Sequence, residues 1–218
     1  MTVESRAYWG NTSWDAQHRE DRGQSHRALS RGAPPVPSVA PTDFPMDLDQ
    51  VKLACRISGS DEDTLIQDVY FPAAVEFVQL DAEITLMTQT RIQYLDDFPD
   101  GPIELRMPPI SSVTSVTYYD YSLVQQTMSS TLYDVDLTSR PGLISPTFAQ
   151  VIWPIAIPKL NSIAVTFVCG NANASAVSPL AKQAICLRVG AAYRNREMNS
   201  EETMSYDNLI AKLRWRGL

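Results

Sequence analysis

The stretch Met46-Asp47-Leu48-Asp49-Gln50-Val51-Lys52-Leu53-Ala54-Cys55-Arg56-Ile57, followed closely by Ser60-Asp61-Glu62-Asp63-Thr64-Leu65-Ile66, opens the folded part of the chain. Asp47 and Gln50 stand three residues apart, the spacing of a capping box in which the Gln side chain reaches back to the cap. A short helix should start there, run to about Arg56, and stop at Ser58-Gly59. Ser60 and Asp63 repeat the cap pattern for a second helix, and the acids of its first turn suit the helix dipole. In that helix Ile66, Val69, Ala73, Phe77, Leu80 and Ile84 recur at intervals of three and four, which predicts one apolar stripe. Pro72 lies inside the stripe and predicts a kink.

Beyond these helices, assigned to 47–84, the period changes to two over 86–169. Thr90, Ile92 and Tyr94 alternate with Gln89, Arg91 and Gln93; Ile103, Leu105 and Met107 alternate with Glu104 and Arg106. Tyr133, Val135 and Leu137 alternate with Asp134 and Asp136, and Ile163, Val165 and Phe167 make a last strand. Such alternation, broken at Pro99-Asp100-Gly101, Pro108-Pro109 and Arg140-Pro141-Gly142, marks half-buried antiparallel strands. Helix returns over 179–213. Pro179 takes the favoured first helical position after Ser178, and Ala181, Ile185, Val189 and Ala192 line one face. Leu209, Ile210 and Leu213 mark a last helix. The fold class is therefore α+β: two N-terminal and two C-terminal helices as a scaffold, with an inserted antiparallel β-module, together spanning 46–218.

Residues 1–45 differ. Pro34, Pro35, Pro37, Pro41 and Pro45 favour an extended chain, and five arginines balance five acids. Apolar residues are too few to bury a core, so this is an arm and not a domain. Composition alone favours a disordered arm. Tyr8, Trp9 and Trp14 point instead to an arm ordered on a partner or neighbouring subunit, because large aromatics pack on surfaces.

The bulk chemistry excludes more than it assigns. With 44% hydrophobic residues, 20% charged and a net charge of −7, the chain has a globular composition and no bulk attraction for nucleic acid. No apolar run approaches the ~18 residues of a membrane span, and the N-terminus lacks a signal-peptide core. A soluble protein made in the cytoplasm is expected. Cys55, Cys169 and Cys186 form no close pair in sequence, which argues against a disulfide framework or a CxxC site. The two histidines, His18 and His26, both lie in the arm, so Ser-His and Cys-His schemes have no rigid base in the folded part. Phosphate-cradling glycine motifs are absent. Asp61-Glu62-Asp63 reads as helix-start charge before it reads as a cation site, and Asp96, Asp97 and Asp100 make an acidic turn matching no EF-hand loop. No catalytic, metal or cofactor residue is assigned. Tyr118, Tyr119 and Tyr121 beside Asp120 suggest a strand and a tyrosine-edged turn. Arg188, Arg194, Arg196, Arg214 and Arg216 are the basic concentration. They read either as a solvated helix end or as partners for acids on another protein.

Several phrases, taken in order, resemble the head–tail connector (adaptor, head-completion) proteins of tailed phages. They are Asp47-Leu48-Asp49-Gln50-Val51-Lys52-Leu53, the acidic turn 61–66, Phe98-Pro99-Asp100-Gly101-Pro102-Ile103-Glu104-Leu105, and Pro109-Ile110-Ser111-Ser112-Val113-Thr114-Ser115-Val116-Thr117-Tyr118-Tyr119-Asp120. Ile163-Ala164-Val165-Thr166-Phe167-Val168-Cys169-Gly170 and the helix from Pro179 with Tyr193, Asn195, Arg196 and Glu197 complete them. Cys169-Gly170-Asn171 departs from the family's usual ending. The resemblance implies a virion protein of the neck, in a ring of about twelve subunits closed by heterologous contacts. The ring would bind the portal on one side and a tail-side neck or tail-terminator protein on the other. DNA would pass through its lumen unbound. It also implies that the C-terminal end grips the portal, which points to Arg214, Trp215, Arg216 and Leu218. Another neck component, such as a stopper or tail-completion protein, is the alternative, and a small carboxylate-dependent hydrolase is a more distant one.

Overall fold

The computed structural model describes residues 34–148, 152–195 and 200–214. Two bodies of structure share the chain. The helical one comprises α1 (Leu48–Cys55), α2 (Asp63–Leu65), a π turn (Ile66–Tyr70) and α3 (Phe71–Ala82), then α4 (Pro179–Asn195) and α5 (Ser200–Leu213). Between α3 and α4 lie the strands β2 (Gln89–Leu95), β3 (Ile103–Leu105), β4 (Ile110–Tyr119), β5 (Gln125–Thr127), β6 (Tyr133–Asp136), β7 (Gly142–Pro146) and β8 (Ile163–Cys169). One further strand, β1 (Val36–Val39), precedes all the helices. The α+β class and the inserted module follow the expectation.

Local chemistry sets the helix ends. Asp47 caps α1 and donates its N–H to Gln50 Oε1 at 3.4 Å, as the capping box requires. Arg56, in the left-handed conformation, closes the helix with its own N–H on Leu53 O, while Ile57 N–H donates to Lys52 O. The second helix starts differently from expectation. Glu62 occupies the cap position without a side-chain cap bond, and Asp63 is the ion-pair partner of Lys52 instead of a cap. Lys52 Nζ also donates to Gly59 O, so one ammonium ties the α1–α2 turn together.

The predicted stripe on the second helix is overturned. Ile66 is buried, but Val69, Ala73, Phe77 and Leu80 face outward. The buried side is Ile66, Phe71, Ala74, Val78 and Ala82. The reason is the π turn: Phe71 N–H bonds Ile66 O, five residues back, where an α-helix would reach four. Pro72 has no N–H for the next bond, so an extra residue is taken into the turn just before it. One added residue rotates everything beyond it about the axis. The expected kink at Pro72 is realised as this π turn.

The core of the helical body joins α3 to α4 and α5 through Val78, Ala181, Ala184, Ile185, Val189, Tyr206 and Ile210, with Val51 of α1 fully buried against them. In the β-module, an antiparallel five-stranded sheet runs β1-β2-β8-β4-β5, and a three-stranded sheet runs β3-β7-β6. Their inner faces enclose Leu95, Leu105, Val116, Ile144, Val165 and Phe167. β8 is central and buries Ile163, Val165, Phe167 and Cys169. Its neighbour β2 is inverted relative to simple amphipathic expectation: Gln89, Arg91 and Gln93 point inward, opposite Cys169, Phe167 and Val165. Each finds polar partners there. Gln93 bonds Glu104 O and Arg106 N–H, Gln89 bonds Gln79, and Arg91 Nη1 donates to Pro35 O at 2.8 Å.

That last bond bears on the arm. Its end is extended, but as the edge strand β1, paired antiparallel to β2. Pro37 is tolerated because an edge strand leaves one side of its backbone unpaired. Phe44 packs on Phe71 with ring centroids 5.0 Å apart, and Pro35 and Pro45 are buried. Residues 34–45 thus lie on the folded body. Residues 1–33, with Tyr8, Trp9 and Trp14, lie outside the described residues.

The helical body and the β-module meet at Gly170. Its φ is +100°, and a Cβ there would stand 2.2 Å from Met87 O. Around it Gly170 N–H donates to Pro109 O, Asn171 bonds Leu86 O through backbone and side chain, and Thr85 bonds Met107 O and Pro108 O.

Candidate interaction surfaces

Most of the clustered acids are engaged within the fold. Lys52 pairs Asp63, and a hydrogen bond to Glu62, with some burial, raises the Tyr193 phenol pKa. Asp96 accepts from Asn161 N–H at 2.7 Å, and Asp97 from Phe98 N–H. Two exposed acids hold turns. Asp120 accepts from Ser122 N–H, Val124 N–H and Gln126 Nε2, which lowers its pKa. Asp136 accepts from the N–H and hydroxyl groups of Thr138 and Ser139, which hold its carboxyl far below the usual carboxylate range. Among the described residues no group of three His, Cys, Asp or Glu is placed to hold a metal ion, and no helix is long and apolar enough to cross a membrane.

What the fold leaves open is apolar. Leu65, Val69, Ala73, Phe77 and Leu80 follow one another every three or four residues along α2, the π turn and α3, and all lie on the outside. Val69 is 50% exposed and Leu80 54%. Phe77 is partly covered by the Arg188 guanidinium, 3.8 Å from its ring centroid, and the same guanidinium lies 4.8 Å from the Tyr206 ring. A helix that is apolar on two sides buries one in its own core and presents the other. A second apolar surface is the β4–β5 hairpin tip, where Tyr121, Leu123 and Val124 are exposed. The tip is shaped by Asp120 and by Ile157 N–H on Tyr119 O. Of the tyrosines read as a strand and a tyrosine-edged turn, Tyr118 packs inward on Phe98 and Tyr119 lies under Lys159, both at the end of β4, and Tyr121 is exposed in the turn.

Among the C-terminal residues singled out by sequence, Arg214 is described: Nε and Nη2 both donate to Asp81 O, near the end of α3. Tyr206 Oη donates to the Asp81 carboxylate at 2.7 Å, so burial and that charge push its phenol pKa up. Arg194 pairs with Glu202. Trp215, Arg216 and Leu218 lie outside the described residues, as does Arg196. The exposed helix face was missed in sequence because its apolar residues read as core. The signal that would have found it is Pro72, if taken to insert a residue and not only to bend the helix.

This architecture recurs in chains of solved gene transfer agent particles. The chain superposes on a chain from the virion of a native gene transfer agent particle with a TM-score of 0.68 and 16% identity, covering 84% of this chain and 97% of that one. A chain from the neck of an empty particle of the same kind, computed with C6 symmetry, gives 0.67 at 16% identity over the same shares. One from the neck of the native particle, computed with C12 symmetry, gives 0.58 at 18% identity, covering 83% and 97%. The likeness is one of fold. The sequence resemblance holds as well: residues 45–141 match the family model described as phage gp6-like head-tail connector protein. A comparison with curated proteins returned no match.

Proposed function

We propose that the chain is a structural subunit of a virion neck, assembled as a closed ring that joins head to tail and continues the DNA channel. The observation that carries this is the exposed apolar face of Val69, Phe77 and Leu80, on a fold shared with neck chains of symmetric particles. A face of this kind suits a subunit that is covered on assembly. Its occupant is a second copy of the chain, since a ring of identical subunits repeats one heterologous contact until it closes.

The remaining parts take roles in keeping. The portal lies on one side of the ring and a tail-side neck or terminator protein on the other, with Arg214, Trp215, Arg216 and Leu218 at the portal contact. Tyr8, Trp9 and Trp14 anchor the arm on the completed joint. The net charge of −7 suits a lumen through which DNA slides without adhering. The protein does no catalysis. It is made in the host cytoplasm and works in the particle.

Native mass spectrometry of the full chain, alone and mixed with its portal protein, tests the reading. A stoichiometric ring on the portal is the expected result. A chain that ignores the portal but binds tail components would make it a stopper or tail-completion protein. A chain that binds neither would end the neck assignment.

A further inference from the structure

Cys55 and Cys186 are 131 residues apart in sequence, yet the fold brings them together where the end of α1 crosses α4. Cys55 Sγ lies 3.3 Å from Cys186 O and donates to it. Met46 Sδ lies 3.9 Å from Cys186 Sγ and closes the inner side of the pair. The outer side is open. Both thiols line a surface recess of about 420 Å³, together with Lys182, Gln183 and Arg194. Cys169 is fully buried in the β-module core.

We propose that Cys55 and Cys186 form a thiol-modification site, a dithiol that exchanges with low-molecular-weight disulfides and closes into an intramolecular bond tying α1 to α4. The first step is attack of the Cys186 thiolate on one sulfur of the small disulfide, giving a mixed disulfide and releasing one small thiolate. Cys55 then loses its proton and attacks the Cys186 sulfur, expelling the second small thiol. The protein dithiol is oxidised by two electrons and the small disulfide is reduced to two thiols, so the exchange balances. The order follows from the Cys55 proton, which is held by donation to Cys186 O. The closeness of the two thiols lowers the Cys186 pKa and, together with burial, raises that of Cys55. Lys182 in the recess favours an anionic reagent such as oxidised glutathione. Disulfides persist on virion surfaces and not in a reducing cytosol. The site therefore stays a dithiol during synthesis and closes in oxidising surroundings, whether or not the chain forms a ring.

The test is incubation of the folded full-length chain with oxidised glutathione, then peptide mapping without reductant and thermal unfolding. The expected result is a Cys55–Cys186 cross-link with Cys169 still free, a raised unfolding midpoint, and reversal by dithiothreitol. Cys55→Ser should hold glutathione as a stable adduct on Cys186 and show no rise in midpoint. A chain that gives only single adducts, or keeps all three thiols free, would overturn the proposal. So would a cross-link that survives in Cys55→Ser.

Discussion

At the residue scale, Gly170 has the narrowest tolerance. A side chain there must adopt φ near +100° and push its Cβ into the Met87 carbonyl, which is backbone and cannot swing aside. Gly170→Ala should cost roughly 2–4 kcal/mol, combining strain and a forced backbone shift. Denaturant titration checks it, and an unchanged midpoint would show that the junction relaxes freely. Asp136 makes a different prediction. Its carboxylate accepts four hydrogen bonds, so its folded pKa lies below the unfolded value of about 3.9. The group's contribution is therefore complete above that pH, and it declines as pH falls through the lower folded value. The Thr138 and Ser139 amides should keep native NMR shifts at pH 5 and lose them only in stronger acid. Asp136→Asn should remove most of that pH response.

At the element scale, the π turn determines which face α3 gives away. Val69→Asp and Leu80→Asp place a charge on residues already half exposed, so the monomer should lose less than about 1 kcal/mol. The same charges in a closed apolar contact would be unpaired, and ring formation should fall at least tenfold. Light scattering measures the second effect and thermal unfolding the first. Rings that form normally with both substitutions would remove this face from the interface. Phe77 is the poorer probe, because it also packs on Arg188 within the chain.

At the scale of the whole molecule, the arm has two parts with different consequences. Deleting residues 1–33 leaves β1, the Arg91–Pro35 bond and the Phe44–Phe71 packing in place, so the folded monomer should keep its stability. Assembly on the portal should weaken, if the arm locks the joint. Deleting residues 1–40 also removes β1 and leaves the buried Arg91 guanidinium without Pro35 O, which should cost about 1.5–3 kcal/mol. The two truncations, compared by unfolding and by native mass spectrometry, separate folding from assembly. Assembly unaffected by the shorter deletion would retire the arm from the joint.

Sequence by itself determined the order and type of the elements. The Asp47–Gln50 cap, the period-two strands and the Pro179 helix start are local, and each is a bargain between a few neighbouring groups. The order of the connector-like phrases was legible for the same reason. What only the tertiary structure decided depends on distant partners. Arg91 and Gln93 read as the wet side of a strand, but Pro35 O, Glu104 O and Arg106 N–H were waiting inside. Cys55 and Cys186 read as unrelated until α1 crossed α4. Val69 and Leu80 read as core until one extra residue in a turn carried them outward. Periodicity reports that a face is apolar, but which apolar face is buried depends on the phase of the helix against its neighbours, and one residue of slip sets that phase.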